Sequence, residues 1–336
     1  MNPPILAEVV RGGIVESVHR GHICVADGDG SRVVSIGDPE TVTFLRSASK
    51  PFQAMPFLTS GAAEAFGFTD DEVALACASH SGEKIHVDGV RRMLEKIGCS
   101  VDDLRCGVHM PFYQKETERM IREGESPTQL HNNCSGKHAA MLGLAKHIGA
   151  DVSSYESVAN PVQEEIKNSV AAFAEMPADE ISIGIDGCAA PNFALPISAM
   201  AKCFANLISR NKFDAQTQAA SHRIVSAMAK FPHLIGGTDR LDTILMEAAR
   251  GKIISKVGAD GVWLCGVLPS EKYPTGLGVA LKIEDGDDFL SRPVVAVEIL
   301  RELEILAAND LVELSPMPIK NRRGDKVGEV ISRVSI

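Results

Sequence analysis

The 336-residue sequence lacks any apolar run that approaches the roughly 20 residues needed to cross a bilayer. Met1 to Arg11 is too short and too soon interrupted by Glu8 to be a signal peptide, so we expect a cytoplasmic protein. Basic residues are in deficit, because 34 Lys and Arg face 44 Asp and Glu, a formal net charge of −10. This balance argues against nucleic acid or an anionic membrane surface as the main partner.

Internal repeats, low-complexity tracts and obvious linkers are also missing. Eight cysteines in a chain of this length do not make a disulfide scaffold. Hydrophobic residues make up 45% and charged residues 23%, which is typical of an ordinary globular core. The length permits one large unit or two lobes.

Strand-like segments lie towards both ends of the chain, and helical periodicity dominates between them. The pattern predicts an α+β or three-layer fold, with an antiparallel-rich sheet and a helical region inserted between N- and C-terminal strands. We expect a single compact unit of two lobes. The sheet lobe would comprise approximately residues 1–45 and 180–336, and the helical lobe approximately residues 46–179.

The segment 46–52, Arg-Ser-Ala-Ser-Lys-Pro-Phe, places Ser47 and Lys50 three residues apart at a predicted helix start. That spacing brings both side chains to one helix face, where an unprotonated amine can take the hydroxyl proton as the oxygen attacks. The same spacing recurs at Ser81/Lys84 and Ser209/Lys212, so the motif alone is weak. A strand-like run before it and an apolar helix after it favour this copy, whereas the structural alternative is a serine that only caps the helix.

Further polar segments carry candidate reactive groups. Ser79 follows a predicted helix and is either a second active hydroxyl or a helix cap. Cys134, Lys137 and His138 share one face of a predicted first helical turn. The cysteine is open to three interpretations: a nucleophile, a soft metal ligand, or part of an anion-binding turn formed by residues 135–137.

Two more candidates lie at predicted strand ends. Asp186 is placed to hold a cationic group, and Cys188, two residues on, can supply a second thiolate. Lys256, followed by a valine and Gly258, is similar to the Lys-Thr-Gly element of β-lactamases. The structural alternative for Lys256 is an exposed lysine in a β-turn.

Taken in order, these motifs resemble the rhizobial-type, or class 3, L-asparaginases over nearly the whole chain. The resemblance implies a fold similar to serine β-lactamases and glutaminases, a homodimer, and hydrolysis of L-asparagine to L-aspartate and ammonia. It implies two Ser-Lys tandems, Ser47 with Lys50 and Ser79 with Lys256. It also implies substrate-binding residues and a zinc site: Arg46, His138 and Asp186 for the substrate, and Cys134, Lys137, Cys188 and a water for the metal.

The expected mechanism is a double displacement through an acyl-enzyme, with activity that rises towards alkaline pH because the lysines must lose protons. We expect Ser47 to attack with Lys50 as its base, and Ser79 and Lys256 to relay protons or stabilise the intermediate. Three alternatives remain: a glutaminase or other small-amide hydrolase, a slowly turning over penicillin-recognising sensor, and a zinc-stabilised scaffold without activity.

Overall fold

The computed structural model of the protein describes residues 2–209 and 212–336. Across these residues there are eleven strands: β1 Ile5–Arg11, β2 Ile14–Asp27, β3 Arg32–Ile36, β4 Val42–Phe44, β5 Ser182–Ile185, β6 Pro191–Pro196, β7 Ile253–Val257, β8 Val262–Val267, β9 Leu277–Ile283, β10 Met317–Lys320 and β11 Lys326–Ser332.

The same residues form twelve α-helices: α1 Lys50–Thr59, α2 Ala62–Ala65, α3 Asp70–Ala76, α4 Lys84–Ile97, α5 Gln114–Glu123, α6 Ser135–Ile148, α7 Pro161–Ala174, α8 Ile197–Ile208, α9 Ala215–Lys230, α10 Pro232–Ile235, α11 Leu241–Ala248 and α12 Ser291–Glu302. None of these helices has the length and apolar content needed to cross a membrane.

Eight strands make one antiparallel sheet in the order β10-β11-β1-β2-β9-β8-β7, with β3 paired to β2 beside this path. The 14-residue strand β2 joins its two halves, because residues 14–20 pair with β1 and residues 21–27 pair with β9. A smaller antiparallel sheet has the order β4-β6-β5. Strands from both ends of the chain therefore share one sheet, as the sequence pattern predicts.

Strands β7 and β8, which end the sheet on one side, are buried at every position, so both faces of this part of the sheet are covered. Helices α8 and α12 both pack against β8 and β9. A Cβ at Gly278 of β9 would lie 2.0 Å from the carbonyl oxygen of Ala201 in α8, so the absence of a side chain permits this close packing. The predicted α+β class with a layered arrangement is confirmed.

Helices α2, α3, α6, α7 and α9 pack around α1, which is buried along nearly its whole length. Phe52 of α1 contacts Phe173 of α7 and Phe204 of α8, with ring centroids 5.3 and 5.6 Å apart. Helix α9, from the segment assigned above to the sheet lobe, packs against α1 and α3. Because α1 begins with Lys50, this packing carries the lysine into the interior of the protein.

Candidate active site

The Lys50 side chain is fully buried, and its amine contacts three oxygens from two separate loops. Lys50 Nζ lies 2.6 Å from the carbonyl oxygen of Ala78, 3.3 Å from that of Asn133 and 2.8 Å from Ser79 Oγ. A carbonyl oxygen can only accept a hydrogen bond, so both carbonyls require an N–H from the amine. If the amine is neutral, its two N–H groups are used by the carbonyls and its lone pair faces the Ser79 hydroxyl, which is the arrangement a proton acceptor needs.

This pairing differs from the pairing expected from the sequence. Within the described residues, Lys50 forms a side-chain hydrogen bond with Ser79, and Ser47 Oγ forms none with Lys50. Lys256, which the resemblance pairs with Ser79, instead contacts Asp242. The physical reason is that a buried amine must find oxygen partners, and for Lys50 these lie on the loops that follow α3 and precede α6.

Several hydrogen bonds fasten the loop that carries Ser79. The Ser79 amide donates to the carbonyl oxygen of Ile235 at 2.9 Å. The Glu83 carboxylate accepts from Ser81 Oγ at 2.6 Å, from the Thr238 amide at 2.8 Å and from Thr238 Oγ1 at 2.8 Å. The Ser79 loop and the loop before α11 are therefore linked, which restrains the position of the hydroxyl.

Lys256 is fully buried on β7, and its amine lies 3.3 Å from Asp242 Oδ2 and 3.1 Å from the carbonyl oxygen of Val257. Burial lowers the pKa of Lys256 to about 8, since the opposing attraction of Asp242 is partly offset by the nearby charge of Lys50. Asp242 was not identified from the sequence. A lysine inside a buried strand requires a counter-charge, and an acid in the first turn of α11 supplies it.

Cys134, Lys137 and Cys188 converge in a buried cluster next to Lys50. Lys137 Nζ lies 3.0 Å from Cys188 Sγ. A hydrogen bond from the Cys134 thiol, together with the Lys137 charge, holds the pKa of Cys188 well below its usual range. Burial favours the neutral form of Lys137, but the two sulfurs outweigh it and raise the Lys137 pKa. These shifts favour a thiolate at Cys188 beside a charged Lys137.

The donor set fits a zinc ion, since two thiols and an amine that can release its proton are ligands suited to this metal. His138 lies beside the cluster. Its Nδ1 is 2.7 Å from Tyr155 Oη, which also accepts from the Arg105 amide. Burial lowers the pKa of His138, and a side-chain hydrogen bond to Cys188 opposes this shift, so the imidazole is coupled to the same cluster.

Residues 135–137, predicted as one option to form an anion-binding turn, are occupied by contacts within the protein. Ser135 Oγ donates to the carbonyl oxygen of Leu130, and a Cβ at Gly136 would lie 2.2 Å from the carbonyl oxygen of Leu75. The glycine is therefore required where α6 passes close to α3, and Lys137 is engaged by Cys188.

Arg46 and Asp186 form an ion pair at the edge of the site, with Arg46 Nη2 3.0 Å from Asp186 Oδ1. Arg46 also pairs with Asp260. Among the described residues, eight non-glycine residues have positive φ, and four of them (Arg46, Ala189, Asp239 and Asp260) lie on the loops of this region. Strained backbone of this kind is concentrated at functional sites, which supports placing the active site among these loops.

Ser47 and Ser79 line one cleft of about 620 Å³, together with Asn133 and Val257. A larger apolar cavity of about 950 Å³ lies beside α9, and none of the ten residues predicted for the site lines it. A carboxylate–histidine group formed by Glu83, His86 and His233 lies near the cleft. Both ring nitrogens of His86 form hydrogen bonds with backbone groups, so this histidine has a structural role.

Comparison with known proteins identifies the family of the chain. The family model described as L-asparaginase II matches residues 7–332. Among solved structures, a probable glutaminase from Bacillus subtilis complexed with 6-diazo-5-oxo-L-norleucine is similar at 15% identity, with 88% of each chain covered and a TM-score of 0.39.

A second structure is the covalent complex of a Bacillus subtilis glutaminase with 5-oxo-L-norleucine, at 11% identity, with 85% of this chain and 89% of that chain covered and a TM-score of 0.39. The likeness to both is loose. No curated protein matches the sequence. The family predicted from the motifs is confirmed by the family model, and the chain belongs to the L-asparaginase II family.

Proposed function

We propose that the protein is an L-asparagine amidohydrolase, which converts L-asparagine to L-aspartate and ammonia. The observation that carries this proposal is the buried Lys50 amine, held by two carbonyls and placed 2.8 Å from the Ser79 hydroxyl. Membership of the L-asparaginase II family supports an amide as the substrate. A glutaminase remains the second candidate, since the cleft volume of about 620 Å³ admits the longer side chain as well.

In the proposed mechanism, Ser79 Oγ attacks the carbon of the side-chain amide while Lys50 Nζ takes the hydroxyl proton. Collapse of the tetrahedral intermediate breaks the C–N bond, and Lys50 returns that proton to the leaving nitrogen, so ammonia departs. A water molecule then attacks the acyl ester, its proton passes to Lys50, and the proton returns to Ser79 as L-aspartate is released. This assignment replaces Ser47, the serine favoured by sequence spacing, as the nucleophile.

Other residues are given supporting roles in this proposal. Lys256, whose pKa is lowered to about 8, can exchange protons with the site near neutral pH. Ser47 lines the same cleft and is available to contact the substrate. In this proposal Asp186 and His138 contribute to substrate binding, with the Asp186 carboxylate as the partner of the substrate ammonium.

We also propose that Cys134, Lys137 and Cys188 hold zinc. Bound there, the ion supplies a fixed positive charge that organises the polar groups of the site. The test is the zinc content of purified protein and the melting temperature before and after chelation. About one zinc per chain supports the site, and a chelated protein that keeps its fold excludes the purely structural alternative. The homodimer stays a prediction, which sedimentation velocity can check.

The deciding experiment measures ammonia release from L-asparagine and L-glutamine, side by side, by the wild-type protein and three alanine variants. Ser79→Ala should reduce turnover by at least about 1,000-fold, because it removes the attacking oxygen. Ser47→Ala should retain measurable turnover, and Ser226→Ala, an exposed serine on α9, should match the wild type. Release from neither substrate by the wild-type protein would refute the proposed function.

A further inference from the structure

Arg240 immediately precedes α11 and lines the same cleft as Ser47 and Ser79. Its guanidinium carbon lies 5.3 Å from the ring centroid of Phe112, so the cation rests on an aromatic face. Within residues 2–209 and 212–336, the Arg240 side chain has neither a hydrogen bond nor an ion pair. A guanidinium with five donors is therefore presented to the cleft without a protein acceptor.

Other cations around the site are already engaged. Arg46 pairs with Asp186, Lys256 contacts Asp242, and Arg292 pairs with Asp288. The charge of Arg240 is close enough to act on Lys256 and Arg292. Asp239 also lines the cleft, but within the described residues no carboxylate forms an ion pair with Arg240.

The loop that carries Arg240 is held in place before any ligand arrives. Thr238 is bonded to Glu83 through both its amide and its hydroxyl. Gly237 and Asp239 have φ values of +103° and +59°, respectively, which fixes a compact turn ahead of α11. A cation on such a loop, supported by Phe112, is preorganised to receive a planar anion.

We propose that Arg240 binds the α-carboxylate of the substrate and thereby makes a free carboxylate a requirement for efficient turnover. This inference rests on the proposed function, since it assigns a specificity role within the same cleft. A carboxylate can accept two parallel N–H bonds from the guanidinium, which sets both the position and the direction of the substrate. The side-chain amide would then be presented to Ser79.

Two substrate analogues isolate the contribution of the carboxylate. Succinamate is asparagine without its amino group, and β-alaninamide is asparagine without its carboxylate. We expect Arg240→Gln to lower kcat/KM for L-asparagine and succinamate by about 10- to 100-fold, the effect of losing a charged hydrogen-bond partner. The kcat/KM for β-alaninamide should be unchanged, because that substrate has no group for Arg240 to bind.

Matched variants guard against indirect effects. Arg240→Lys keeps the charge without the planar fork and should recover part of the loss. Arg323→Gln removes one charge from an exposed arginine in the β10–β11 turn, and it should match the wild type on all three substrates. An equal loss on β-alaninamide, or no loss on L-asparagine in a folded Arg240→Gln protein, would overturn the inference.

A binding measurement separates this inference from the proposed function. Calorimetry with L-aspartate reports carboxylate binding whether or not any amide is hydrolysed. We expect the dissociation constant of L-aspartate to rise about 10- to 100-fold in Arg240→Gln. If the wild-type protein releases no ammonia yet shows this loss of binding, the proposed function fails and the role of Arg240 stands. If the wild-type protein hydrolyses asparagine and Arg240→Gln binds L-aspartate normally, the proposed function stands and the role of Arg240 is refuted.

Discussion

Replacing Asp242 with asparagine removes the carboxylate that lies 3.3 Å from the buried Lys256 amine. At that distance the attraction between the two charges is about 5 kcal/mol with an effective dielectric constant of about 20. This attraction opposes the burial that lowers the pKa of Lys256 to about 8. Because one pKa unit corresponds to about 1.4 kcal/mol, complete loss of this attraction should lower the Lys256 pKa by up to about 3.5 further units.

The change is visible in the pH dependence of turnover if the neutral amine is the active form of Lys256. In the wild type, the neutral fraction grows as the pH rises through about 8, so kcat/KM should rise over the same range. In Asp242→Asn this rise should move to lower pH. Asp88→Asn, which alters an exposed carboxylate paired with Lys84, should leave it in place.

The free energy of unfolding should also depend on pH through the pKa of Lys256. The pKa of Lys256 is lower in the folded than in the unfolded protein, so the unfolded chain binds more protons between about pH 8 and the unfolded value of 10.5. Through that window the contribution of Lys256 to stability increases as the pH rises.

A folded Asp242→Asn protein whose activity still rises at the wild-type pH would refute the assignment of that rise to Lys256.

Three further changes have defined outcomes. Gly237→Ala would place a Cβ 1.9 Å from Ser81 Oγ at a φ of +103°, so calorimetry should show the free energy of unfolding reduced by about 2–5 kcal/mol. Gly251→Ala, at a φ of +79° with no atom within 4 Å of the new Cβ, should reduce it less. Lys50→Met, in which an apolar chain replaces the buried base, should lower kcat by about 100-fold or more with its circular dichroism spectrum unchanged; full turnover would exclude Lys50 as the base. Cys188→Ala should lower the zinc content of the purified protein several-fold, and an unchanged content would place the metal elsewhere.

Helices with strong apolar periodicity were predictable from the sequence. In α4, which runs from Lys84 to Ile97, Val87, Val90, Met93, Leu94 and Ile97 recur at helical spacing and mark one face of the helix. Strand β6, by contrast, begins and ends at proline and is buried at five successive positions, so no alternating pattern marks it. Its identity depends on pairing with β4 and β5, which local sequence does not encode.

The sequence motifs name candidate residues for the site, but they do not reveal which of these residues contact each other. Ser79 and Lys50 are 29 positions apart, and the contact depends on how α1 packs. The acceptors that orient the amine are the backbone carbonyls of Ala78 and Asn133, and every residue has a carbonyl, so no side-chain motif can reveal them. Spacing along one helix favoured Ser47, whereas tertiary packing delivers Lys50 to Ser79.

The most direct test of the Lys50–Ser79 pairing is to identify the nucleophilic serine by covalent labelling. The wild-type protein would be treated with a diazoketone analogue of L-asparagine, digested, and mapped by tandem mass spectrometry, with Lys50→Met treated in parallel. The structure predicts a single adduct on Ser79, strongly diminished in Lys50→Met. An adduct on Ser47, with Ser79 unmodified, would contradict the account.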